Sequence, residues 1–212
     1  MIRCYWFHAP NAPLTDAPAV EPVINHIAAF PLATWARYAL NGLSSFRPWS
    51  VERLQIDALT QRTHALTLED TAGRWRCQTT LGKFGERPAT LLQGTVRALE
   101  PADADALEAW LAQTLTTITG VERVNGVNVL ALEAATCAPI PDLDAPGAWD
   151  WVSPKLLPRS AWPRLTSAPG TATERAGGLL LTVRAPRWST DSTEALQEAA
   201  AWWGALTPQP PR

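Results

Sequence analysis

The side chains best suited to chemistry in this chain are three histidines and three cysteines, and their spacing leaves them little to do. Cys4 and His8 share one face of the N-terminal stretch IRCYWFH, but four residues along an extended strand span about 13 Å, too far to hold one metal ion. A metal centre shows itself in close ligand spacing such as C-x-x-C or H-E-x-x-H, and neither occurs. His64 and Cys77 come nearer, as diagonal neighbours on the apolar face of a hairpin described below. Such a pair could form a Cys-His nucleophile, but free cysteine is more commonly buried as a small hydrophobe, and both residues are read as core.

Serine nucleophiles of the G-x-S-x-G kind and the phosphate loops GxxxxGK[ST] and GxGxxG are absent. The nearest approach is Gly82-Lys83-Phe84-Gly85-Glu86-Arg87, where Lys83 and Arg87 could clamp an anion or a nucleic-acid backbone. The plainer reading is a wet connection between strands. Asp142, Asp144 and Asp150 gather in a Pro-rich segment, but no histidine or arginine clusters there to perturb their acidity, so they read as solvated loop acids. No catalytic residue, metal or cofactor is expected, and the chain is read as non-enzymatic.

Arginines interleaved with tryptophans suggest a different chemistry, base stacking with phosphate pairing. They occur as Arg74, Trp75 and Arg76, as Arg159, Trp162 and Arg164, and as Arg184, Arg187 and Trp188. Against this, the 212 residues carry a net charge of -2, whereas binding by phosphate neutralisation wants a basic face. Sixteen of the eighteen cations are arginine, a bias that a GC-rich bacterial or phage genome supplies without any function.

These residues must be positioned by a fold, and the hydrophobic periods predict which. Ile2 to His8 reads as a central strand with bulk on both faces. Val20, Val23, Ile24 and Ile27 make a helix that Pro31 ends or kinks, and a helical pattern resumes from Leu32 to Leu43. Val51 to Leu59 is a candidate strand. The clearest signal is THALTLEDTAGRWRCQTTL, a hairpin in which Asp70 to Gly73 form the turn, Glu69 pairs with Arg74, Leu68 with Trp75 and Leu66 with Cys77.

Thr90 to Leu99 is a further strand, and EPADADALEAWLAQTL a helix whose Asp105 and Glu108 have capping-box spacing. Val121 to Leu132 reads as a strand, or as a hairpin turning at Asn125-Gly126. Seven prolines between positions 139 and 169 predict irregular structure. GGLLLTVRAP is a strand, and a last helix runs from about Asp191 to Leu206 with a stripe of Leu196, Ala199, Ala200 and Trp203.

The sum is one α+β domain over residues 1–212, an antiparallel meander of five to seven strands with helices on one face, an irregular strap at 139–170 and a tail at 207–212. The start has no signal-peptide pattern, no window would span a bilayer and the odd, scattered cysteines fit reduced thiols, so a cytoplasmic location without membrane partners is expected.

Eleven tryptophans are more than this core needs. Trp149, Trp151 and Trp162 fall in the Pro-rich segment, where they either strap down their own domain or form a docking patch with Arg159 and Arg164. The function read from these features is a non-catalytic protein-binding subunit or adaptor of a bacterial or phage assembly, or a dedicated partner such as an immunity protein. The first alternative is an RNA- or DNA-binding subunit, with Arg74, Arg76, Lys83 and Arg87 as anion contacts. The second is an enzyme or carrier for a small apolar ligand.

Overall fold

The structure is a computed structural model that describes residues 2–8, 17–40, 45–60, 65–80, 89–96, 98–128, 147–166, 168, 170–184, 188 and 193–206. The elements in chain order are β1 (Ile2–His8), α1 (Ala17–Ala28), β2 (Trp35–Leu40), β3 (Arg47–Pro48), α2 (Val51–Thr60), β4 (Ala65–Asp70), β5 (Trp75–Thr80), β6 (Ala89–Gly94), α3 (Pro101–Thr117), β7 (Val121–Asn128), β8 (Trp149–Val152), α4 (Trp162–Leu165), β9 (Thr171–Arg175), β10 (Gly178–Thr182) and α5 (Thr193–Leu206). A 3-10 turn at Arg159–Ala161 leads into α4.

The fold is α+β and antiparallel, as the periodicity predicts. Its strands run in the order β3-β2-β4-β5-β6-β1-β7-β8-β10-β9, so the sheet has ten strands rather than five to seven, and β1 lies inside it. Cross-strand partners share a face, which divides the side chains cleanly. One face carries Tyr38, Leu68, Cys77, Leu92, Val124 and Trp151, buried beneath α1 and α3 through Ile24, Ile27, Trp110 and Leu111. At the β8–β10 end the opposite face is covered as well: Val152, Leu179 and Leu181 pack with Leu165 of α4 and with Ala195, Ala199 and Trp202 of α5. Helices therefore lie on both faces, in place of the single helical layer expected.

Two element types are exchanged relative to expectation. Residues 35–40 form a strand because a bulge between Trp35 and Arg37 breaks the period of two, leaving Trp35, Tyr38 and Ala39 buried in what looks like helical spacing. Val51–Thr60 is a helix, with Leu54, Asp57 and Ala58 on its buried side and the Ser50 hydroxyl accepting the Arg53 N–H at 3.2 Å.

The β4–β5 hairpin keeps its expected faces but is shifted by two residues: Leu68 faces Cys77, Leu66 faces Thr79 and Glu69 faces Arg76. The cause is Asp70, whose buried carboxylate accepts the backbone N–H groups of Ala72, Arg74 and Trp75 and so closes a turn beyond itself. Trp75 then lies opposite Gly94 on the other side, where a Cβ would come within 2.7 Å of the indole.

Further differences follow from packing. Val121–Asn128 is one strand, because Asn125 and Gly126 serve contacts rather than a turn: Gly126 lies under the Trp188 ring and Asn125 bonds to Asp150. Helix α3 begins with Pro101 after an N-cap Glu100 that makes no side-chain cap, so Asp105 and Glu108 form no capping box. In α5 Ala199 is buried as expected, and among the described side chains Ala195 and Trp202 are buried with it. Among the described residues no helix is long and apolar enough to cross a membrane.

Candidate functional site

The three tryptophans of the Pro-rich segment form no exposed patch. Trp149 and Trp151 belong to an internal strand between β7 and β10, at 2% and 6% exposure, and Trp162 is buried in α4 at 8%. Their polar edges are spent internally, Trp151 Nε1 donating to the Arg175 carbonyl at 2.8 Å and Trp162 Nε1 to the Leu157 carbonyl at 3.0 Å. Arg159 and Arg164 are exposed, but the aromatic surface that should accompany them is inside the chain. Arg159 is held over the Trp162 ring and paired with Glu174 at 3.0 Å. The strap reading holds for the tryptophans, and the strap includes the four-residue strand β8.

Asp150 is likewise no loop acid. It lies on β8, closed off from solvent, and receives Arg123 in a two-pronged pair at 3.0 and 2.7 Å together with the Asn125 amide at 3.1 Å and the Gly147 N–H at 3.3 Å. A carboxylate with so many fixed donors is structural. Asp142, Asp144, Lys83, Arg87 and His64 lie outside the described residues.

Two other polar clusters and one buried thiol stand out, and each is self-contained. Tyr38 donates to Asp57 at 2.7 Å, and Arg47 and Arg53 reach the same carboxylate. The Tyr38 hydrogen bond, aided by Arg47, holds the Asp57 carboxyl below its ordinary range, while burial and Asp57 push the Tyr38 phenol up. The result is a fixed tether between α2 and the sheet edge, poorly suited to proton transfer near neutrality. His26 stacks on Trp110 at 4.3 Å and meets the Thr114 hydroxyl at 2.7 Å, and burial lowers its imidazole to about 4. Burial pushes the Cys77 thiol up, which removes the thiolate a nucleophile needs. Among the described residues no three His, Cys, Asp or Glu side chains converge as a metal site.

What remains open is the polar face of β2, β4, β5 and β6. Register places Arg37, Glu69, Arg76, Gln93 and Arg3 side by side across five strands. Adjacent strands lie about 4.8 Å apart, so the row is roughly 19 Å long. Arg37 takes Glu69, its Nε at 2.8 Å and its Nη2 at 2.6 Å from the same oxygen, and rests over the Phe46 ring. Glu69 therefore pairs with Arg37 rather than with Arg74, the partner the hairpin pattern suggested. Arg76, the next residue in the row, has no ion pair among the described residues, and its buried Nε has no acceptor.

Beside this row a groove of about 720 Å³ is lined by Arg37, Glu69, Arg74, Arg76, Gln93 and Thr95 among others. A second, of about 420 Å³, lies across the β4–β5 turn and carries Glu100 and Asp103. Of the anticipated anion contacts, Arg74 and Arg76 are thus brought to one groove. Arg37, Gln93 and Thr95 join them unannounced, since only strand order could show that they are neighbours.

The fold has a known counterpart. The Pseudomonas aeruginosa T6SS protein PA0821 superposes with a TM-score of 0.56 over 98% of this chain and 82% of that one, at 10% sequence identity. No protein-family model matches the chain, and no curated protein is similar to it in sequence. At that identity the likeness is one of fold. It shows that this sheet-and-helix arrangement also occurs in a T6SS protein.

Proposed function

We propose that this chain is a non-catalytic protein-binding component of a bacterial secretion-system assembly, acting as an adaptor or as a dedicated partner of the immunity kind. The observation that carries this reading is the open row of Arg37, Glu69, Arg76 and Gln93 on a sheet whose other polar clusters are internally satisfied. A partly exposed, mixed-charge sheet face suits a protein partner. The fold shared with a T6SS protein points the same way. Base stacking is less well served, because the described tryptophans flanking arginines, Trp75, Trp162 and Trp188, are buried.

The test is co-purification of a tagged chain from its native host at native expression level, with the retained proteins identified. A single protein retained in stoichiometric amount is the expected result. Retention of nucleic acid alone, released by salt, would replace this reading with the RNA- or DNA-binding one.

A further inference from the structure

We propose that the groove beside the β4–β5 turn takes an acidic segment of a partner protein, one carboxylate of which closes on the Arg76 guanidinium. This rests on the protein-binding reading and adds the chemistry of the partner.

The charge arrangement argues for it. The groove is lined by three cations, Arg37, Arg74 and Arg76, and two anions, Glu69 and Asp70. Both anions are already engaged, Glu69 by Arg37 and Asp70 by the backbone N–H groups of its turn. Arg74 and Arg76 make no ion pair among the described residues. Arg76 has more at stake, because it is half-buried and its Nε has no acceptor, which leaves its guanidinium short of hydrogen bonds. An arriving carboxylate would meet the Arg74 and Arg76 side chains that line the groove and pair with guanidinium by charge-assisted hydrogen bonds.

The surroundings select a peptide over a polyphosphate. Gln93 and Thr95 offer both donors and acceptors, as an extended peptide backbone requires. A nucleic-acid backbone leaving the groove past the turn would meet Glu100 and Asp103. A discrete acidic side chain flanked by neutral residues avoids that repulsion.

The test uses the full chain and a fluorescein-labelled peptide of alternating glutamate and alanine, with a glutamine-alanine peptide and an oligothymidylate of equal length as competitors, read by anisotropy. Arg76→Gln should weaken the acidic peptide at least about tenfold with an unchanged melting temperature, while Arg175→Gln on the distant edge strand β9 leaves it unaltered. The wild-type Arg76 Nε resonance should shift on titration with the same peptide, which serves if Arg76→Gln fails to fold. Equal binding by Arg76→Gln and wild type, no binding of the acidic peptide, or tighter binding of the oligothymidylate would each overturn the proposal. If a protein retained from the native host stays bound undiminished to Arg76→Gln, the groove inference falls while the protein-binding reading stands. If the wild type retains no protein at all, that reading is the one that falls.

Discussion

Arg123 and Asp150 meet across β7 and β8 through two hydrogen bonds, with side chains 2% and 0% exposed. The pair lies on the face covered by the C-terminal helices, beside Val152 and its cluster. Removing one partner leaves a buried charge uncompensated. Asp150→Ala should therefore cost about 3–5 kcal/mol. A Met-for-Arg123, Leu-for-Asp150 double variant should lose less than either single change, as read from urea midpoints.

His26 makes stability fall in acid. Its folded value is about 4 against an ordinary 6.5, so between those values the unfolded chain binds a proton that the folded chain refuses. Stability is then full above pH 6.5 and drops as pH falls toward 4. By pH 4.5 the loss from this group should be about 2–3 kcal/mol. His26→Gln should flatten that part of the curve in denaturation series at pH 7 and pH 4.5.

Gly94 faces Trp75, and a methyl group there would press within 2.7 Å of the ring. Gly94→Ala should destabilise by about 1–3 kcal/mol through overpacking. Adding Trp75→Leu should recover part of the loss, so the two changes should be non-additive in a double-mutant cycle.

Cys77 is fully buried with its thiol pushed up by desolvation. In a Cys4→Ser, Cys137→Ser variant, the remaining thiol should react with an aromatic disulfide reagent only as fast as the chain opens. Prompt labelling of the folded protein would contradict this placement.

Trp149 fills core rather than surface, so Trp149→Ala should cost about 3–5 kcal/mol. Its effect on partner binding, in molecules that remain folded, should be nil.

The residues that were legible from order alone are those whose pattern is local. Ile2 to His8 reads as an inner strand because both of its faces carry bulk, and Leu66, Leu68, Trp75 and Cys77 alternate strictly enough to fix their common face. The polar face of that hairpin, with Arg74 and Arg76, was visible for the same reason. The bulge at Trp35 to Arg37 and the cap at Ser50 misled because a few residues of irregular backbone imitate the other period.

The sequence by itself determined that this is an antiparallel α+β chain with a tryptophan-rich core, because alternation and amphipathic stripes are properties of neighbouring residues. Only the tertiary structure decided where the surplus tryptophans go and that Arg76, which faces Glu69, makes no ion pair among the described residues. Trp149 and Trp151 are buried because β8 is inserted between β7 and β10, strands from distant parts of the chain. Arg76 is left over because β2 brings Arg37 alongside β4, where it takes Glu69 first. Both outcomes depend on strand order, which no local period encodes.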